Sequence, residues 1–478
     1  MKKDNAWNSY SGEQLTELEA LAKRYRAFLN VGKTERECVT ETVRIARENG
    51  YRSLEEVRAS GETLKTGDKV YAVNMEKMVA LFVIGEQPME TGMRILGAHI
   101  DSPRLDVKQD PLYEDTEMAY LDTHYYGGIK KYQWVTIPLA IHGVVVKKDG
   151  TKVQVCVGEK DEDPVVFVSD LLIHLAGEQM EKKARLVIEG EQLDLLVGSR
   201  PYKEEKAAQS ETEKAKGANA EQAAAKDAVK KNILEILKES YDIEEEDFLS
   251  AELEIVPAAK ARDCGLDRSM VMAYGQDDRV CAYTSLEAIL SIPAQERTCC
   301  CLLVDKEEIG SVGATGMQSR FFENTVAELM DAAGQYSELA LRRALSRSRM
   351  LSSDVSAAYD PLYAGSFEKK NSAYFGKGLV FNKFTGSRGK SGSNDANAEY
   401  VAAIRAMLEK HQVAFQTAEL GKVDIGGGGT IAYITALYGM EVIDSGVAVL
   451  NMHAPMEVTS KADIYEAFKG YRAFLQEA

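Results

Sequence analysis

Thiolate metal sites and disulfide frameworks have little to build on in this chain. It carries seven cysteines in 478 residues, an odd number with no CxxC pair and no framework spacing. Three of them, Cys299, Cys300 and Cys301, lie side by side on an apolar run and read as reduced core residues of a cytoplasmic protein. A basic surplus is missing as well. The 58 basic and 75 acidic residues give a net charge of −17, so no nucleic acid and no anionic membrane is expected as a partner, since both favour a basic surface. No apolar run reaches the length of a membrane span. The opening MKKDNAWNSYSGEQL has two lysines without an apolar stretch behind them, so no secretory leader is expected. Other familiar signatures are incomplete. Gly389-Lys390-Ser391 imitates a phosphate loop, but Phe384 stands where its first glycine belongs. Gly426–Gly429 lacks the dinucleotide-binding glycine at Ile431, and no Gly-x-Ser-x-Gly elbow accompanies a predicted site strand.

What is present is a chain too long for one simple core, with 45% hydrophobic and 28% charged residues, the composition of a multidomain globular protein. Amphipathic periodicity predicts helices over 12–29 and 34–49. Strands are predicted at Lys69–Val73, Met78–Ile84 and Met93–Ala98, the last running into His99-Ile100-Asp101. From about Leu105 to Met270 the texture changes to short β-like runs: Val135–Ile141, Gly143–Lys147, Lys152–Val157 and Ala184–Ile188. Within that stretch, Lys203–Lys231 is an Ala/Lys/Glu-rich segment that reads as an excursion from any core. The α/β pattern then resumes. Helices are predicted over Arg279–Leu290, near 321–334 and 337–348, over Asn394–Lys410 with Ser393 or Asn394 as cap, over Thr430–Leu437 and over Lys461–Leu475. Strands are predicted at Met350–Asp354 and Val447–Asn451. The fold class expected is α/β: a central mixed sheet flanked by helices, formed by residues 1–106 plus 271–478 and interrupted by a β-rich insertion at 107–270.

The organising stretch is Cys301–Val304 followed by Asp305-Lys306-Glu307-Glu308 and a loop of small residues. Two adjacent carboxylates just beyond a buried strand can face different targets. Collected from strand ends and site loops, the polar set is His99, Asp101, Asp277, Glu307, Glu308, Asp354 and His453. Any one of these alone is more often a capped turn or a hydrogen-bonded structural residue. Together, imidazoles and carboxylates without thiolates suit zinc, manganese or cobalt. Two ions could share a bridging carboxylate, leaving Glu307 or Glu308 as a general base and Asp101 to hold the second nitrogen of His99.

GAHIDSPRL (97–105), GQDDRVCAYTSL (275–286), DKEEIGSVGATGMQS (305–319), SSDVSAAYDP (352–361) and NMHAPMEV (451–458) resemble the M18 metallopeptidases, the aspartyl aminopeptidase family, in that family's motif order. The resemblance implies a metal-dependent aminopeptidase holding two divalent ions, zinc foremost. Asp277 would bridge them, His99 and Asp354 would complete one and Glu308 and His453 the other. Glu307 would be the general base and Asp101 would orient His99. The Asp277–Asp278 peptide would be cis. The insertion would be a dimerisation domain whose His174 reaches a neighbouring subunit's site to stabilise the oxyanion, and dimers would assemble to a homo-dodecamer. The substrates would be peptides with a free N-terminus. The chain also departs from the family's pattern. Asn382, beside Lys383, stands where the aspartyl branch has a lysine, and Ala357 or Asp360 replaces a histidine, so neutral N-terminal residues are plausible substrates. Competing functions are a related binuclear-metal carboxypeptidase or amidohydrolase, a non-catalytic assembly protein on the same fold, and a two-carboxylate glycan hydrolase, which the histidines disfavour.

Overall fold

The structure is a computed structural model that describes residues 4–203, 227–386 and 389–477. Most of the Ala/Lys/Glu-rich segment expected at Lys203–Lys231 lies outside the described residues. The chain divides into two compact units, Met1–Ser102 with Lys260–Ala478, and Pro103–Ala259. These change over at 102/103 and 259/260, where the domain boundaries expected from the sequence were 106/107 and 270/271.

The first unit is built on a nine-stranded sheet. In spatial order its strands are Arg52–Ser53, Lys69–Asn74, Met78–Val83, Cys299–Val304, Arg94–His99, Arg349–Ser353, Glu441–Gly446, Leu379–Asn382 and Phe415–Thr417. The four in the middle, from Cys299–Val304 to Glu441–Gly446, are mutually parallel. Their carboxyl ends therefore share one edge, where open α/β sheets place ligands. Strands buried on both faces read as unbroken apolar runs, and Cys299–Val304 is buried throughout. Its side chains alternate, Cys299, Cys301 and Leu303 entering one core and Cys300, Leu302 and Val304 the other. Helices Gly12–Val31, Gln276–Leu290, Ala398–Lys410 and Lys461–Glu477 pack on the first face, and Phe321–Ala332 and Glu338–Ser346 on the second.

A smaller five-stranded sheet, Arg262–Cys264, Met270–Ala273, Glu457–Ser460, Ala448–Leu450 and Ser356–Ala357, lies beside the large one. Its connections carry two predicted site residues. Asp277 follows Met270–Ala273, and His453 lies between Ala448–Leu450 and Glu457–Ser460.

The second unit carries a seven-stranded antiparallel sheet: Lys152–Val157, Leu139–Val146, Ala251–Pro257, Arg104–Asp115, Met118–Tyr126, Leu195–Gly198 and Phe167–Val168. Two local expectations need correcting. Val135–Ile141 and Gly143–Lys147 are not two strands but one, Leu139–Val146, preceded by loop. Ala184–Ile188 is no strand: Ala184–Leu186 is a 3-10 turn, because no neighbouring strand pairs with it. In the first unit the cap of helix Ala398–Lys410 is Asn397, whose side chain accepts the Tyr400 N–H, rather than Ser393 or Asn394. No helix among the described residues is long and apolar enough to cross a membrane.

Candidate metal centre

Each polar residue of the predicted set arrives at the end of an element. His99 is the last residue of strand Arg94–His99 and is 1% exposed, and Asp101 two residues on is 0% exposed. Beyond Cys299–Val304 the chain turns at Lys306, a non-glycine residue with φ of 68°, into a 3-10 turn, Glu307–Ile309. Asp354 follows strand Arg349–Ser353 and donates its N–H to the Ser445 carbonyl at 2.9 Å. The approach is close enough that a Cβ at Gly446 would lie 1.8 Å from the Asp354 carbonyl oxygen, so only glycine fits there. Asp277 and Asp278 open helix Gln276–Leu290 with non-helical dihedrals, and the bond between them is cis, as the resemblance implied.

The tertiary structure gathers these side chains. Asp277 Oδ1 lies 3.2 Å from His99 Nε2, and Oδ2 lies 3.2 Å from His453 Nε2. His453 Nε2 is also 3.4 Å from Glu308 Oε2. Glu307 Oε2 is 4.0 Å from His99 Nε2. His99, Asp277 and Glu308 offer ligand atoms within 4.8 Å of one another, and so do His99, Glu307 and Asp354. Asp101 stands behind them, its Oδ1 3.3 Å from His99 Nδ1. Its two oxygens accept the backbone N–H groups of Glu307 at 3.1 Å and Glu308 at 3.2 Å. His174 belongs to the other unit, on an exposed 3-10 turn, Ile173–Leu175.

The protonation pattern is that of acids crowded without enough positive charge. Burial works against charge on His99, but Asp101 and Asp277 outweigh it and raise the imidazole well above its ordinary range. Burial likewise pushes Asp277 up, yet His453 and His99 hold its carboxyl below the usual range. Burial pushes Glu308 and Asp354 well above theirs, with Asp277 adding to the first and Glu307 to the second. Glu307 is pushed up to about 7 by burial, with His99 opposing and Asp101 and Asp277 reinforcing. Two buried oxygens, Asp277 Oδ1 and Glu308 Oε1, accept no hydrogen bond. Orphaned carboxylate oxygens in a cluster that also offers imidazole nitrogens fit divalent cations, which would supply both the missing partner and the missing charge.

One residue missed from the sequence is Glu457. It is 1% exposed, accepts the His453 N–H at 2.8 Å with one oxygen and the Asp277 N–H at 3.0 Å with the other, and is pushed up to about 8 by burial and by Asp277. It stands in the NMHAPMEV stretch, but a glutamate beginning a strand carries no local signal that it will be buried. Asp444 was missed too. It lines the same cavity of roughly 410 Å³ as Asp277, Glu307, Glu308, Asp354 and His453, accepts a hydrogen bond from Thr430 at 2.5 Å, and burial pushes it up to about 7. Asn382, also on that cavity, is committed to internal bonds, accepting from Ser356 Oγ at 2.7 Å and donating to the Ala418 carbonyl at 3.0 Å. Lys383 is ion-paired with Asp395.

A family model described as Aminopeptidase I zinc metalloprotease (M18) matches residues 28–475. The chain is 64% identical over 471 residues to a probable M18 family aminopeptidase 1 of Clostridium acetobutylicum, covering 98% of this chain and 97% of the relative. The crystal structure of an M18 family aminopeptidase from Thermotoga maritima superposes with a TM-score of 0.90 at 43% identity, covering 100% of both chains. The mApe1 dodecamer of Saccharomyces shares the fold at 18% identity and a TM-score of 0.73, over 95% of each chain.

Proposed function

We propose that this chain, which belongs to the M18 aminopeptidase family, removes residues from the free N-termini of peptides with the help of two divalent cations, zinc foremost and manganese or cobalt as substitutes. The observation that carries the proposal is the position of Asp277, whose two carboxylate oxygens each face a different imidazole at 3.2 Å, His99 on one side and His453 on the other. That is the disposition of a bridging ligand. Asp354 with His99, and Glu308 with His453, would then complete the two ions.

Bound there, the ions would polarise the scissile carbonyl and lower the pKa of a water in the site. Glu307 is half-buried at the edge of the cluster. Its carboxylate takes a proton from the attacking water and returns it to the leaving amine. Asp101 fixes the His99 ring and, through two backbone N–H groups, the turn that carries Glu307 and Glu308. Asn382 and the paired Lys383 offer no free cation to an acidic side chain, which supports neutral N-terminal residues as the preferred class.

The second unit, Pro103–Ala259, is read as a dimerisation module. Leu171, Leu172, Ile173 and Leu175 are all exposed around His174, an apolar surface of the kind that a second copy covers. From such a partner, His174 would reach the substrate carbonyl and stabilise its developing negative charge. The Saccharomyces mApe1 structure is a dodecamer, and dimers of this chain would assemble to the same state. The seven cysteines are free thiols, Cys299–Cys301 buried, which supports a reducing, cytoplasmic setting.

The test compares free and N-acetylated peptides after chelation and metal add-back. The proposal expects turnover of the free peptides alone, abolished by chelator and restored by zinc, manganese or cobalt. Equal hydrolysis of the blocked peptides would assign the centre to an endopeptidase, carboxypeptidase or amidohydrolase.

A further inference from the structure

The central parallel strands of the large sheet, which lead at their carboxyl ends to His99, the Glu307-Glu308 pair and Asp354, begin at the opposite edge of the sheet around a second cavity of roughly 360 Å³. Its charged lining is Arg94, Arg297, Arg347, Arg349 and Glu441, a formal balance of four positive charges against one negative. In a chain of net charge −17, this is a local reversal of sign.

Arg94 and Arg349 are register partners at the starts of adjacent parallel strands. Like charges placed directly opposite are unfavourable. Arg349 is relieved by Glu441, whose Oε2 accepts from its Nε at 2.7 Å, while Glu441 Oε1 is taken by Asn397 Nδ2 at 3.3 Å. Arg297 donates to the Thr91 carbonyl, and Arg347 to the Glu90 carbonyl at 3.2 Å. Arg94 has nothing comparable. It is 8% exposed, and its Nη1 is buried without a hydrogen-bond partner. No carboxylate among the described residues pairs with it. Burial and the charges of Arg297 and Arg349 pull it down to about 10, still charged at neutral pH. A charged donor that is buried and unpaired costs stability unless something else meets it.

We infer that this cavity binds a small, multiply charged oxyanion of the phosphate class, held by the planar fork of Arg94 with Arg297, Arg347 and Arg349 around it. Guanidinium groups bind tetrahedral oxyanions in bidentate fashion, and the site offers several donors at one point. It lies at the sheet edge opposite the metal cluster and stands independently of the peptidase assignment.

The test is calorimetric titration of the metal-loaded protein with inorganic phosphate at constant ionic strength, alongside thermal melts. Wild type should show one saturable site per chain and a melting temperature that rises with phosphate. Arg94→Met should weaken that site by about tenfold or more, the loss of charge-assisted hydrogen bonds, and remove the phosphate-dependent rise in melting temperature. In phosphate-free buffer the same variant should melt no lower than wild type, because an unpaired buried charge is gone. Arg347→Gln, at an exposed position, should weaken phosphate without disturbing the fold. Phosphate binding that is absent, or that is unchanged in both variants because the ion goes to the metal cluster, would overturn the inference. So would acetate or succinate binding as tightly as phosphate.

Discussion

Asp101 accepts the backbone N–H of Glu307 at 3.1 Å across 206 positions of sequence, while its other oxygen accepts the N–H of the next residue. One buried carboxylate thus ties the strand end that carries His99 to the turn that carries the proposed base and one proposed ligand. Asp101→Asn leaves one acceptor oxygen and sets an NH2 group against an N–H. It also removes the charge facing His99 Nδ1. The expected outcome is a loss of about 10- to 100-fold in zinc affinity or turnover, typical for the partners that orient metal ligands, measured by metal titration and by kcat at saturating zinc. A variant matching wild type in both would deprive Asp101 of an orienting role.

Glu307→Gln keeps the shape of the side chain and removes its ability to accept a proton. Metal content measured by atomic emission should match wild type, while kcat falls by about 10²–10⁴-fold. If the metal-loaded variant turns over peptide at the wild-type rate, the proton is taken by another group.

Glu457 touches no proposed reacting atom and acts through the backbones of Asp277 and His453. In Glu457→Gln one of those N–H groups loses its acceptor inside the protein, at a cost of about 1–3 kcal/mol in unfolding free energy. The same change should weaken the cluster's grip on metal. The discriminating measurement is rescue: excess zinc should restore most of kcat in Glu457→Gln but not in Asp277→Ala, which lacks the bridging oxygens themselves. Equal rescue of both variants would contradict the division of roles.

Leu175 is 70% exposed on the second unit, beside His174. Leu175→Asp places a charge on the apolar surface read as the dimer contact. Sedimentation velocity should show smaller species than wild type at equal concentration, with the circular dichroism spectrum unchanged. His174→Ala should leave the assembly intact and lower kcat. An unaltered sedimentation coefficient for Leu175→Asp would place the contact elsewhere.

Much of the first unit was legible because its signals are local. Cys299–Val304 is buried on both faces, so it reads as a continuous apolar run. Where such a run stops at a polar residue, the stop marks the sheet edge, which is how His99, Asp354 and the Glu307-Glu308 pair were found. The same logic misread Ala184–Ile188, where Ala184–Leu186 is an exposed 3-10 turn without a strand partner. It also split Leu139–Val146 at His142, a polar residue that is nevertheless buried inside the strand. Glu457 and Arg94 escaped notice because each begins a strand, where charged residues are usually solvated.

By itself the sequence determined which residue types stand at the ends of which buried strands, since hydrophobic runs and their polar stops are properties of neighbouring residues. Only the tertiary structure decided that Asp277 presents one oxygen to His99 and the other to His453, that Glu457 clamps two of those backbones, and that Arg94 faces Arg349 without a counter-charge. Those relationships depend on strand register and on contacts between segments hundreds of residues apart, and no local pattern of side chains encodes either.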